Sequence, residues 1–285
     1  MNATVLITGA SSGIGLATAV AAARAGFTTV GTVRRPDGDL ALREAAEKAG
    51  VWIDVVTLEV TDPESVHDCV RSVVAMHGRL DALVNNAGVA GIAPTAELCA
   101  MQSLRASMEV NFFGVVAMTR AAMPHLRAAR GRLVTVSSVR GVVGQPFNEA
   151  YSAAKFAVEG FMEGLAPVAA EVGVRVSVVE PAAVLDTDFI ANAHADPTAM
   201  LAAAGPYEEA YRAYRGWVQT GAVEGAQVAA DVADVVVATL TADQPAFRVQ
   251  TSEYARRYVS RKLADPDGSV IQALTRSWVR PDPAP

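Results

Sequence analysis

The chain has 285 residues, 51% apolar and 19% charged, so it can bury a large core, and disorder is excluded for most of its length. Its 24 basic and 30 acidic side chains leave a formal charge of −6, and no Lys/Arg stripe marks a nucleic-acid footprint. Two cysteines, Cys69 and Cys99, without a CxxC spacing favour a reducing cytoplasm, and no apolar run reaches the ~18 residues of a membrane span.

Met1–Ala10 carries no basic stretch and runs straight into a Gly-rich turn, so a signal peptide is not expected. Thr4–Thr8 (TVLIT) is a β-rich apolar run stopped by Gly9, and it predicts a buried strand. An Ala-rich helix over 14–25 follows, with Gly26 as its stop, then a strand over 27–33. The alternation continues with a helix near 38–49, a strand over 53–58, a helix over 63–76 and a strand over 81–85. A long helix over 101–128, a strand over 132–137, a helix over 150–172 and a strand over 174–180 come next. Asp37 and Asp62-Pro63 are helix-start signals. A helix over 226–241, a strand near 246–250 and a helix near 252–278 complete the pattern.

Such alternation predicts a single α/β domain over 1–280, a Rossmann-type doubly wound parallel sheet with helices on both faces. There is no internal repeat. Residues 186–224 break the rhythm at Pro197, Gly205 and Pro206, and are read as an insertion or lid over the substrate. The tail 281–285 (PDPAP) is expected to be mobile.

Gly9-Ala10-Ser11-Ser12-Gly13-Ile14-Gly15 joins the first strand to the first helix. A pyrophosphate is bound best at a helix N-terminus, where free N–H groups and the helix dipole favour an anion. Gly9 permits the tight turn, Gly13 a close backbone approach and Gly15 close helix packing. The spacing is G-x-x-x-G-x-G rather than G-x-G-x-x-G. Nineteen residues past Gly15, where a dinucleotide site that prefers NAD(H) carries an acid, stand Arg34 and Arg35. Two guanidinium groups suit a 2′-phosphate, so NADP(H) is expected over NAD(H).

Tyr151 and Lys155 are four apart and share a helix face. A cation near a phenol favours the phenolate and makes the tyrosine a usable acid or base. Ser138 ends a predicted strand thirteen residues earlier, where its hydroxyl can donate to a carbonyl oxygen. Asn85-Asn86-Ala87-Gly88 follows the fourth strand at the same edge, and Asn111 is a poor helix former inside the long helix.

Taken together, these motifs resemble the short-chain dehydrogenase/reductase family over roughly residues 3–190. The resemblance implies that Tyr151 is the catalytic acid/base and Ser138 binds the carbonyl or alcohol. It implies that Lys155 holds the nicotinamide ribose and depresses the Tyr151 pKa, and that Asn111 supports a water-linked proton relay to Lys155. Asn86, Ala87 and Gly88 are expected to approach the adenosine ribose by backbone, with Glu59 and Val60 beside the adenine. Gly141–Asn148 (GVVGQPFN) and Lys155–Gly160 (KFAVEG) resemble the branch holding 17β-hydroxysteroid and retinol dehydrogenases. The family pattern has Asp where Glu59 stands. It also has Pro-Gly after the sixth strand and a Thr five residues past that Pro. Here the run is Pro181–Thr187 (PAAVLDT), so Gly has become Ala and Thr187 arrives one residue late. Val184 is expected to reach the carboxamide through its backbone, and Thr187 is a candidate for the same contact.

His67, His77, His125 and His194 show no metal spacing, and both cysteines read as inert. Tyr207, Tyr211, Tyr214 and Trp217 line one helix face, either packing on their own domain or a neighbouring subunit, or forming a lid over an apolar substrate. Val142, Val143 and Phe147 are expected to border the substrate, and their apolar character points to a lipophilic one. The resemblance implies that helices 101–128 and 150–172, with Met118, Met123, Phe156, Phe161 and Met162 available for contact, pair across a two-fold axis, so a homodimer or homotetramer is expected. The expected activity is alcohol/carbonyl oxidoreduction with NADP(H). The alternatives are a catalytically silent nucleotide-binding scaffold, and an epimerase or dehydratase on a related fold, for which the G-x-x-G-x-x-G turn is missing.

Overall fold

The structure is a computed structural model and describes residues 2–90, 95–187, 189, 197–220 and 225–280. β1 (Thr4–Ile7) leads through the glycine turn into α1 (Gly13–Arg24), and β2 (Thr28–Val33) returns to pair beside β1. α2 (Leu40–Ala49), β3 (Asp54–Thr57), α3 (Pro63–His77) and β4 (Ala82–Asn85) follow. α3 starts where the sequence signals it: Pro63 opens the helix and the Asp62 carboxylate accepts from Glu64 N at 3.0 Å. The second half holds α4 (Met101–Met108), α5 (Gly114–Ala129), β5 (Arg132–Val136), α6 (Glu149–Glu171) and β6 (Arg175–Glu180). α7 (Pro197–Ala203), α8 (Glu208–Thr220), α9 (Ala229–Thr241), β7 (Arg248–Gln250), α10 (Glu253–Leu263) and α11 (Ser269–Ser277) close the chain.

The seven strands form one parallel sheet in the order β3-β2-β1-β4-β5-β6-β7. Strand residues alternate between two cores. Val5, Ile7 and Val84 face α1 and α9, whereas Leu6, Leu83 and Leu133 face α3, α5 and α6. Each of those leucines is fully buried and contributes roughly 1.5–3 kcal/mol by leaving water. The strand order reverses between β1 and β4, which opens a crevice at their C-terminal ends.

Two predicted helices are broken. The helix expected over 101–128 contains a π-helical turn at Glu109–Phe113, centred on Asn111. The helix expected over 252–278 stops at Leu263, and Asp265-Pro266 ends it because proline cannot continue the ladder. The Asp265 carboxylate then accepts from Ile271 N at 2.9 Å and so starts α11. Residues 186–224, expected to be irregular, contain α7 and α8; 188, 190–196 (including His194) and 221–224 lie outside the described residues, as does the tail 281–285.

Candidate active site

The glycine turn packs tightly against its own chain. Gly9 has φ +69°, and a Cβ there would sit 2.9 Å from Ala87 Cα. A Cβ on Gly15 would lie 2.1 Å from Gly9 O and 2.4 Å from Asn86 Nδ2. Both positions therefore require glycine. Ser12 is the N-cap of α1, yet its hydroxyl makes no capping bond. The first turn of α1 thus keeps N–H groups for an anion, and the cradle fits a dinucleotide pyrophosphate. Ser11, Gly13 and Ile14 are partly exposed along this turn.

Asn85-Asn86-Ala87-Gly88 is stapled to the turn. Thr8 Oγ1 accepts from Asn86 N at 2.9 Å and Ala87 N at 3.0 Å, and Asn86 Nδ2 donates to Thr8 O and Gly9 O, both at 3.0 Å. Asn86 therefore spends its amide on shaping the cradle. Asn85 is structural: it donates to Thr119 Oγ1 and ties β4 to α5. Arg34 and Arg35 leave the end of β2 beside this turn, both exposed; Arg35 lies 3.7 Å from Asp37. Glu59 sits at the next strand end, with Oε1 accepting from Thr61 N and Oγ1, while Val60 is buried against Gly114.

At the ends of β5 and β6 the catalytic candidates converge. Ser138 is the N-cap of a short turn; its hydroxyl accepts from Arg140 N and donates to Pro181 O at 3.4 Å. Lys155 Nζ donates to Val136 O at 2.9 Å and stands 5.7 Å from the Tyr151 ring centroid. Burial pushes the Tyr151 phenol up, opposed by Arg140 and by the Ser138 hydroxyl. Burial pulls Lys155 down to about 8, opposed by Glu159. Arg140 and Ser138 are the groups that pull the phenol down, where the sequence pointed to Lys155.

The short chain dehydrogenase family model matches residues 3–198. The chain belongs to the short-chain dehydrogenase family. It is 36% identical to retinol dehydrogenase 8 of Bos taurus over 94% of this chain and 87% of that one. It is 35% identical to estradiol 17-beta-dehydrogenase 1 of Rattus norvegicus over 95% of this chain and 80% of that one. A 3-ketodihydrosphingosine reductase of Bacteroides thetaiotaomicron is 39% identical over 62% of each chain, so the match spans less than two thirds of that relative. Among solved structures, a short-chain dehydrogenase of Streptomyces avermitilis superposes with TM-score 0.76 at 29% identity, covering 97% of this chain and 98% of that one. The branch read from the sequence is thus the one its relatives occupy.

In this short-chain dehydrogenase, Asn111 is fully buried in the π-turn. Its side chain exchanges bonds with Val89 N and O at 3.1 and 3.0 Å and donates to Ser107 O at 3.0 Å. A Cβ on Gly88 would meet Asn111 Oδ1 at 2.9 Å and Lys155 Nζ at 4.0 Å, so these three converge. Thr187, one residue late in sequence, still reaches the turn: its Cγ2 would lie 3.1 Å from a Cβ on Gly13. Val184 bridges Gln227, which bonds to Ala183 O and Leu185 N. The Val184 N–H and C=O therefore face the opposite edge, toward Thr187, whose hydroxyl donates to Val184 O.

The proposed substrate border is more enclosed than the sequence suggested. Val142, Val143 and Phe147 are buried in an aromatic cluster with Tyr211, Tyr214, Tyr258 and Trp278. The aromatic stripe of α8 packs on its own domain: Tyr211 meets Phe147 edge-on at 5.1 Å, and Trp217 stacks on Trp278 at 3.9 Å. Tyr214 accepts from Asn148 Nδ2 at 2.7 Å. Among the described residues no group of three His, Cys, Asp or Glu forms a metal set, and no helix is long and apolar enough to cross a membrane.

Three residues escaped the sequence reading. Arg140 stands between Ser138 and Tyr151, with its Cζ 5.9 Å from the Tyr151 ring centroid and Nη1 donating to Asn148 Oδ1 at 3.1 Å. A cation between two catalytic candidates was a usable signal. Phe189 lies edge-on to Tyr151 at 5.6 Å, a contact no local pattern announces. Glu159, one helical turn past Lys155, is 3% exposed.

Proposed function

We propose that this chain is an NADP(H)-dependent oxidoreductase interconverting a secondary or primary alcohol and its ketone or aldehyde, with NAD(H) as the alternative cofactor. The observation that carries this reading is the convergence of Ser138, Tyr151 and Lys155 at the strand ends beside a glycine cradle. When bound, the nicotinamide donates or accepts the hydride. In reduction, Tyr151 gives its proton to the carbonyl oxygen as negative charge grows there, and Ser138 donates a second hydrogen bond. Lys155, anchored on Val136 O, is positioned for the ribose hydroxyls. Asn111 supports the proton relay by holding Val89 and so the strand-end segment beside Lys155. Thr187 and the Val184 backbone serve the carboxamide, and Asn86, Ala87, Gly88, Glu59 and Val60 serve the adenosine half.

The relatives' names cite retinol, estradiol and a ketodihydrosphingosine, all lipophilic, and Val142, Val143 and Phe147 are apolar groups within the Ser138–Tyr151 segment. Both observations support a lipophilic substrate for this chain. The free cysteines suit a cytoplasmic enzyme. The test is NADPH consumption against a panel of ketones, aldehydes and steroids. Turnover concentrated on apolar carbonyls is expected; silence across the panel favours the catalytically silent scaffold.

Arg140 makes a pH prediction. Arg140→Met removes the cation that opposes burial at Tyr151, so the phenol pKa rises further. Alcohol oxidation needs the phenolate, so its acid limb should move to higher pH. An unmoved limb in the pH profile of oxidation would show that Arg140 has no such role.

Met118 and Met162 belong to the protomer's own core and are unavailable for a partner. Phe113 on the π-turn, Phe156 and Val168 on α6, and Val172 just past its end are exposed instead. A homodimer or homotetramer formed through that face should give a light-scattering mass of two or four times 29.7 kDa at micromolar concentration. A single-chain mass refutes it.

A further inference from the structure

Behind Lys155, away from Tyr151, lies a buried acidic cluster that the proposed chemistry does not use. Glu159 follows Lys155 by one turn of α6, so both side chains leave the same helix face. Both are buried, at 3% and 4% exposure. Glu180, at the end of β6, is fully buried beside Glu159. The Ser137 hydroxyl and the Glu159 side chain line one spot: a Cβ on Gly141 would meet Ser137 Oγ at 2.7 Å, Glu159 Cγ at 2.9 Å and Glu159 Oε1 at 3.2 Å.

One cation serves this cluster from β7. Arg248 pairs tightly with the more exposed Glu163 at 2.6 Å, and stands 3.7 Å from Glu159 Oε2 and 3.9 Å from Glu180 Oε1. Gln250 Nε2 donates to Glu180 Oε2 at 2.9 Å. Neither Glu159 oxygen, nor Glu180 Oε1, completes a hydrogen bond with any described residue. A buried carboxylate without donors is costly, and two in one cluster are costlier. The arrangement favours a proton held on this acid pair, released as pH rises.

We infer that Glu159 is a positioning residue for Lys155: its carboxylate, once ionised, holds the Lys155 ammonium in charged form from the side opposite the substrate. The groups that face Glu159 are Lys155 and, through Arg248, Glu163 on α6, Glu180 on β6, Arg248 on β7 and Ser137 after β5. Burial pushes Glu159 up to about 7; the Ser137 hydroxyl, Arg248 and Lys155 pull it down, and Glu180 adds to the rise. Glu159 in turn raises Lys155 against its burial. The signs then order the events. As pH rises through about 7, Glu159 loses its proton while Lys155 keeps its own. The new negative charge extends the charged life of Lys155 toward about 8. Above that, the ammonium is lost together with its hold on a ribose. The catalytic part of this inference rests on the oxidoreductase reading, but the electrostatic link does not.

The experiment uses the full chain without substrate. The sequence has three lysines, Lys48, Lys155 and Lys262, so 13Cε-lysine labelling gives a spectrum in which Lys155 is assigned by Lys48→Arg and Lys262→Arg. In the parent, the Lys155 curve is expected to show a main step near pH 8 and a smaller inflection near pH 7 from Glu159. In Glu159→Gln the main step should move to lower pH and the inflection vanish. Glu159→Asp keeps the charge and should bring the midpoint back toward the parent. An unchanged midpoint in Glu159→Gln overturns the inference, as does Glu159→Asp behaving like Glu159→Gln. If Glu159→Gln does not fold, a parent curve without the inflection near pH 7 overturns it instead. An enzyme inactive on every carbonyl leaves this titration intact, so the two readings fail separately.

Discussion

Replacing Tyr151 with Phe should lower kcat for ketone reduction by at least ~10²-fold, the lower end for general acid catalysis. The substitution removes the only proton donor proposed for the carbonyl oxygen. It keeps the aromatic ring, its edge-on contact with Phe189 and its place beside Lys155. The phenol is buried at 7% exposure, and its loss leaves no charge stranded, so the fold should hold. Cofactor affinity should barely change, because the hydroxyl contributes little to holding a dinucleotide. Lys155→Ala should behave differently and weaken both NADPH binding and turnover. The pair of measurements is NADPH titration by fluorescence and the ketone-reduction rate on each variant. Parent-rate reduction by Tyr151→Phe would mean that another group supplies the proton.

Exchanging Arg34 and Arg35 together for Ala should erase most of the preference for NADP(H) over NAD(H). Both arginines leave β2 next to the glycine cradle, and hydrogen bonds to charged groups are worth ~1.5–3 kcal/mol each. Both are exposed, so the lower end applies, and two such contacts amount to roughly 10²-fold in dissociation constant. NAD(H) affinity should stay within a few-fold of the parent. Dissociation constants for the two cofactors, measured at fixed salt, decide the matter. Equal values in the unsubstituted protein would leave Arg34 and Arg35 as solvated surface charge.

The glycine positions were legible in the sequence because the turn's spacing is local, although Ala87 and Asn86, more than 70 residues away, close on Gly9 and Gly15. Gly9 and Gly15 stand where backbone meets backbone, and a turn between a strand and a helix advertises that need in its spacing. Ser138, Tyr151 and Lys155 were legible for the same reason: a strand end and one helix face place them. The observed helix boundaries depart from the hydrophobic period where a second local signal interrupts it. Asp265-Pro266-Asp267-Gly268 ends α10, and Asn111 marks the π-turn that splits the long helix. Asn111 is out of place in a helix by its residue type, but its partner Val89, twenty-two residues back, is not contained in any periodicity.

From its sequence alone, then, this protein declares a parallel α/β sheet, a tight glycine turn between strand and helix, and the shared helix face of Tyr151 and Lys155, because hydrophobic period and turn chemistry act over a few residues. Tertiary packing decided the environment of those residues. Arg140 over Tyr151, Phe189 against its edge, the Phe147–Tyr211 contact and the Glu159–Glu180–Arg248 cluster join segments up to 89 residues apart. Burial and charge at such junctions set which groups hold protons. They depend on which chain segments exclude water from a site, and no window along the sequence contains that information.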